Sequence, residues 1–271
     1  MQRELAQRDT LLRTVFSKTL RDQRRALAWW ALGFVGTVFM YASFWPSVRE
    51  YAGGFNAYIQ KLPQAIRNLI GNTDFGTPAG YLKSELFTFL GPILLLVFAT
   101  GAGARAIAGE EEAGTLDLLL STPVARRRVY LDKFWAMVGG TFSLAFLMWA
   151  AIMLIGRPYD LTVATANLTA MVVNLFLLAL AFGSLAMAVG AATGSRGLAI
   201  GLTSGTALVT FLVNALTSVE ALKVASPFHY YSSHDPIVSG FQPVDVLVLA
   251  SIAAACLAAG ISAFELRDLS T

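Results

Sequence analysis

Six stretches without a charged side chain, 26–45, 86–104, 134–155, 168–193, 198–219 and 246–264, decide what this chain can fold into. A bilayer hydrocarbon core of about 30 Å takes about 20 helical residues to cross. Within it the backbone must satisfy its own hydrogen bonds, which helices do internally. The runs therefore predict an all-α polytopic membrane protein with six transmembrane helices, a single transmembrane domain over residues 1–271. Composition agrees: 56% of the residues are hydrophobic and 14% charged, against about 45–50% apolar in a soluble domain.

Charge sets the orientation. Fourteen of the 20 Lys and Arg residues fall in 1–25, 105–133, 194–197 and 265–271, and six in 46–85, 156–167 and 220–245. The positive-inside rule then places both termini and the 105–133 segment in the cytoplasm of a cell with the chain in its plasma or inner membrane. Trp29 and Trp30 near the inner end of the first run, with Phe44 and Trp45 near its outer end, suit the two aromatic belts, and Pro46 is expected to mark the exit. In 1–25, Leu5, Leu12, Val15, Phe16 and Leu20 recur at helical spacing beside Arg3, Arg13, Arg21, Arg24 and Arg25. This pattern predicts an interfacial helix on the inner leaflet; a disordered basic tail that only sets topology stays open. With a membrane-length apolar run and no A-x-A site after it, an uncleaved anchor is favoured over a signal peptide.

Outside the membrane, Leu62, Ile66, Leu69 and Ile70 share a helical face, with Pro63 at the start and Gly71 at the stop. The segment 226–243, SPFHYYSSHDPIVSGFQP, reads as an aromatic-rich re-entrant or surface loop over the outer mouth, with Tyr230 and Tyr231 as interfacial anchors. Gly197, Gly201 and Gly205, and again Gly190 and Gly194, recur every fourth residue and predict close helix contact. Asn174 and Asn214 must face protein or a water-filled path.

Absences narrow the chemistry. There is no G-x-x-x-x-G-K-S/T loop to cradle ATP, no H-E-x-x-H and no G-x-S-x-G. Cys256 is alone, which excludes an internal disulfide. His229 and His234 lack an assembled third ligand, so no metal and no catalytic residue is assigned. Since the six runs contain no ionisable group for a proton relay, the energy source is expected outside the bundle. The natural dock is Arg105–Lys133, with ten charged residues in 29. It runs from Glu110, Glu111 and Glu112 through Gly114 and Thr115, an apolar turn of Leu116, Leu119 and Leu120, then Ser121, Thr122 and Pro123, to Arg126, Arg127 and Arg128. A solvated loop that merely obeys the positive-inside rule is the alternative.

The stretch GEEEAGTLDLLLSTPVARRRVYLDK resembles the membrane subunits of ABC transporters of the ABC-2 type. LPQAIRNLIG, GTPAGYL, SPFHYYSSHDPIVSG and the closing FELRDL are similar to further family motifs, although Leu266-Arg267 stands where the family has an arginine pair. The branch resembled includes antibiotic and multidrug efflux permeases. The resemblance implies a coupling helix between spans two and three, in which Gly114, Thr115, Leu116, Leu119 and Leu120 fill an ATPase groove, Ser121 and Pro123 belong to the motif, and Glu110–Glu112 and Arg126–Arg128 meet its rim. It also implies export, a homodimer or heterodimer of permeases, two copies of a separate ATPase that carries ATP and Mg, and no nucleic-acid partner. Asn174, Phe176, Met187, Phe211 and Asn214 are candidate path residues, mainly apolar, which suits a lipophilic or amphipathic substrate. An ion-driven secondary transporter or channel, and an enzyme acting on lipid through HYYSSHD, remain the competing readings.

Overall fold

The computed structural model describes residues 2–64, 66–67, 74–115, 125–217 and 219–267. Six helices are long and apolar enough to cross a membrane. They belong to α1 (Gln2–Ile59), α2 (Pro78–Glu112), α3 (Arg126–Ile155), α4 (Thr165–Thr193), α5 (Arg196–Leu216) and α9 (Pro243–Leu266). Between α5 and α9 lie three short helices, α6 (Glu220–Val224), α7 (Pro227–Ser232) and α8 (Pro236–Ser239). The chain is a multi-pass all-α membrane protein.

Local chemistry sets the starts. Thr77 caps α2 by accepting from the Gly80 N–H at 3.1 Å, and Pro78 occupies the first turn, where its missing donor costs nothing. Ser195 caps α5 in the same way through Leu198 N–H, and Ser226 followed by Pro227 begins α7. Gly194, at φ +67°, ends α4 in the left-handed conformation that a glycine reaches without a steric penalty.

Helix α1 differs from the sequence reading in two respects. The segment 1–25 is not set off as a separate interfacial helix, because the backbone runs unbroken from Gln2 to Ile59 with no Gly or Pro before Gly33. Nor does Pro46 mark the exit, since it sits inside the helix. An internal proline forfeits one N–H bond, here to Ala42, without ending the flanking turns. Neighbouring packing holds the site: Trp45 is fully buried with its ring centroid 5.1 Å from that of Tyr81, whose hydroxyl donates to the Tyr41 carbonyl at 3.0 Å. Farther out, the Phe75 N–H donates to the Asn56 side-chain oxygen and ties the end of α1 to the approach to α2. Of the short helix expected at 62–71, Leu69, Ile70 and Gly71 lie outside the described residues.

At the centre is α4, which touches α2, α3, α5, α7, α8 and α9. The close approaches use glycines other than the expected stripe. A Cβ on Gly103 of α2 would fall on the Gly183 carbonyl oxygen of α4, and one on Gly260 of α9 would fall on the Tyr130 hydroxyl. Gly190 does meet a neighbour, Ala108. Gly201 and Gly205 instead have open space around them, because α5 buries its opposite side through Ala199, Thr203 and Ala215. A four-residue spacing shows that a helix face is smooth, not which face meets a partner within the chain.

The 226–243 segment folds into the bundle rather than lying over it as a surface loop. Phe228, Tyr231 and Ile237 are buried, and the Tyr231 hydroxyl donates to the Phe87 carbonyl at 2.6 Å. Burial pushes that phenol well above its ordinary range. Tyr231 is thus a core residue, not an interfacial anchor, while Tyr230 is half-buried.

Packing at the α2–α4 contact gives a direct prediction. Gly103→Ala forces two backbones apart and is expected to cost about 1–3 kcal/mol, lowering the melting temperature in detergent. Gly201→Ala adds a methyl in open space and is expected to leave it unchanged. Equal melting of the two variants would contradict this packing.

Candidate functional site

Arg105 to Arg126 begins and ends in a cluster of charges at one end of the bundle. Successive helical residues diverge by about 100°, so three glutamates in a row reach three neighbours. Glu110 pairs with Lys133 of α3, whose side chain is only 2% exposed. Glu111 grips Arg267, just beyond α9, through a two-pronged contact in which Arg267 Nη1 lies 3.0 Å from Oε2. The same Nη1 donates to the Ala191 carbonyl of α4 at 3.1 Å. Glu112 Oε1 accepts the Arg196 backbone N–H at 2.8 Å, filling an open donor at the start of α5.

Arg126, at the start of α3, completes the arrangement. Its Nη1 donates to the carbonyls of Arg267 at 2.7 Å and Phe264 at 3.4 Å, where the end of a helix favours a cation. The clamp joins the ends of α2, α3, α4, α5 and α9. The chain leaves α2 through Gly114, at φ +66°, with Gly114 N–H donating to the Glu111 carbonyl and Thr115 N–H to that of Glu110, both at 2.9 Å.

Leu116, Leu119, Leu120, Ser121 and Pro123 lie outside the described residues. Of the charges flanking them, Glu110, Glu111, Glu112, Arg126 and Arg128 interact within the chain, and Arg127 and Arg128 are exposed. Lys133, Arg196 and Arg267 were not singled out from sequence as partners. Lys133 carried a signal, a cation abutting an uncharged run, but the Arg196 and Arg267 contacts span 84 and 156 residues.

A second feature lies higher in the bundle. Between α2 and α5 is an apolar cleft of about 390 Å³, lined by Phe89, Ile93, Val97, Ser204, Leu208 and Phe211 among others. Beside it is a polar vestibule of about 360 Å³ bearing Lys83, Asn214, Glu220, Lys223, His229 and Asp235. Thr88, Phe211 and Phe228 line both. The Phe211 ring stands edge-on between Phe89, 5.6 Å away, and Phe228, 5.4 Å away, and forms the divide. Lys83 pairs with Asp235 in the vestibule wall, and next to Asp235 the His234 Nδ1 lies 2.9 Å from the buried Asp245 carboxylate.

Of the five candidate path residues the structure brings Phe211 and Asn214 together. Met187 is buried in a cluster with Tyr130, Phe134 and Phe264. Phe176 lies edge-on to Phe142, 5.9 Å away. Asn174 is buried in α4, and its Oδ1 has no hydrogen-bond partner among the described residues. Also among the described residues, no group of three His, Cys, Asp or Glu side chains could hold a metal ion.

The described residues thus form a six-helix membrane bundle with a side cleft and a polar clamp at one end. Residues 13–269 match the family described as ABC-2 family transporter protein, and the chain belongs to that family. Its members are membrane subunits that associate with an ABC ATPase and are not themselves catalysts. No curated protein matches the chain.

The clamp predicts a charge-swap result. Glu111→Arg or Arg267→Glu alone places like charges together and is expected to cost about 2 kcal/mol. The double exchange should recover most of the loss in melting temperature. Failure of the pair to rescue either single variant would show that the contact does not hold these helices.

Proposed function

We propose that this chain is the permease of an ATP-driven exporter that moves a lipophilic or amphipathic, drug- or antibiotic-like substrate out of the cell. ATP and Mg sit on a separate ATPase, two copies of which dock on a permease dimer. The observation that carries this reading is the glutamate clamp. Within the docking element 105–133 the chain leaves α2 next to Glu110–Glu112, and those carboxylates hold α3, α5 and the end of α9. A push on the segment as two ATPases close on ATP moves the end of α2 against the start of α5. These helices form the walls of the apolar cleft, so the cleft shifts from inward-open toward outward-open.

The orientation puts both termini and the clamp in the cytoplasm, supported by the distribution of Lys and Arg. Cysteines at Thr115 and Ser233 in a Cys256→Ala background are expected to label from opposite sides of the membrane. Labelling from one side would refute the topology. The open face of α5 at Gly201 and Gly205 offers a smooth surface for a second permease copy.

Coupling is tested at the apolar turn. Leu119→Asp or Leu120→Asp buries an unpaired carboxylate in the ATPase groove, at a cost of roughly several kcal/mol. The ATPase should no longer co-purify from native membranes, and substrate-stimulated ATP hydrolysis should fall. Retention of both with a folded permease would exclude 105–133 as the coupling element.

A further inference from the structure

The polar vestibule and the apolar cleft follow one another between the same two helices. The vestibule takes Lys83, Phe87 and Thr88 from the first turns of α2 and Phe211, Asn214 and Ala215 from the last turns of α5. The cleft continues toward the clamp, from Thr88 to Thr100 on α2 and from Phe211 back to Ser204 on α5. Thr88, Phe211 and Phe228 line both spaces, so the two meet at an aromatic neck.

Charge patterning sets their level in a membrane. Lys83 just precedes the uncharged run 86–104 and Glu220 directly follows 198–219, so the vestibule lies where the apolar runs end. From Thr88 to Thr100 the helix rises roughly 18 Å, against about 15 Å for half of a 30 Å hydrocarbon core. The cleft is therefore as deep as one leaflet, with its polar space at headgroup level. Phe89, Ile93, Val97 and Leu208 in its wall are exposed, so it opens sideways, toward acyl chains.

The vestibule wall carries both signs of charge, in two pairs. Lys83 pairs with Asp235, and Lys223 Nζ lies 3.5 Å from Glu220 Oε2, one turn away on α6. All four residues line the same cavity. Part-exposed pairs of this kind add little stability and exchange partners readily. A head that brings one cation and one anion leaves every charge with an opposite neighbour, whereas a head with net charge sets one sign against its like. Such complementarity selects among ligands.

We propose that the vestibule and the α2–α5 cleft form one binding site for a zwitterionic phospholipid of the leaflet away from the clamp. Its phosphate and ammonium lie between the Lys83–Asp235 and Lys223–Glu220 pairs, and one acyl chain runs past Phe211 along Ile93 and Val97. A soluble zwitterion would leave the apolar wall unused, and a sterol would leave both ion pairs unused. The site stands apart from ATPase docking and from the direction of transport.

The test uses the full chain in nanodiscs of equal parts phosphatidylcholine and phosphatidylglycerol with identical acyl chains, each lipid in turn carrying a diazirine within one chain. Phosphatidylcholine is expected to label the stretches 89–97 and 204–211 about fivefold more than phosphatidylglycerol. Glu220→Gln with Asp235→Asn leaves the two lysines and should turn that preference toward phosphatidylglycerol. Glu220→Gln alone, at an exposed turn, should narrow the preference with the melting temperature unchanged. Ser204→Phe, which fills the cleft, should lower labelling from either lipid. Equal labelling by the two lipids, a preference for phosphatidylglycerol in the unaltered chain, or an unchanged preference in the folded variants would overturn the site. Crosslinking of one chain to another through a photoreactive residue placed at Val97 would give the cleft to a second copy and overturn it as well.

Discussion

Lys133 is almost wholly buried at the start of a membrane helix, and a buried ammonium is tolerable only with an anion against it. Glu110 supplies that anion, which fixes the end of α2 on α3. The next two glutamates then have little choice of direction: Glu111 reaches Arg267 and Glu112 reaches the first amide of α5. Arg126 returns the contact by bonding the carbonyls that end α9. One charge that could not be left alone thereby gathers five helix ends into a single polar layer, and the chain leaves α2 from that layer.

Away from the clamp the bundle is held by shape. Backbone meets backbone at Gly103 and Gly183, and the Tyr130 hydroxyl occupies the space that Gly260 leaves open. The end of the bundle away from the clamp is closed by α7 and α8, drawn inward by Phe228, Tyr231 and Ile237. This tight packing leaves α2 and α5 apart along one stretch, where Phe211 separates an apolar space from a polar one. The polar layer below and the aromatic divide above thus bound the cleft.

The six spans were legible in the sequence because their signal is local and the cost of a charge in lipid is large, so uncharged runs map onto helices almost one to one. The ABC-2 family motifs around Gly114 were legible for a similar reason, lying in one short stretch. What was not legible depends on distant partners. Glu111 and Arg267 are 156 residues apart, and nothing near Glu111 says that its charge is spent inside the chain. The stripe at Gly197, Gly201 and Gly205 is real but lies away from the packed side of α5, and Tyr231 reads as an interfacial residue until the Phe87 carbonyl is found beneath its hydroxyl. Pro46 misled because a proline ends a helix only where no packing holds the next turn.

Helix α2 is over-wide in two places, Lys83–Leu90, whose Thr88 and Phe89 line the cleft, and Arg105–Gly109, beyond the cleft toward the clamp. The first is marked by the Thr88 hydroxyl bonding back to the Lys83 carbonyl, five residues earlier, at 2.8 Å. Each such stretch stores residues that an ordinary α-helix would distribute differently, and releasing one residue turns the rod between them by about 100°. The ends of α2 are pinned, by Asp235 through Lys83 on one side and by the glutamates on the other. Its middle, with Ile93 and Val97, is also pressed backbone to backbone on α4 at Gly103, so the face it turns to the cleft is set by the two widened stretches and by that contact together.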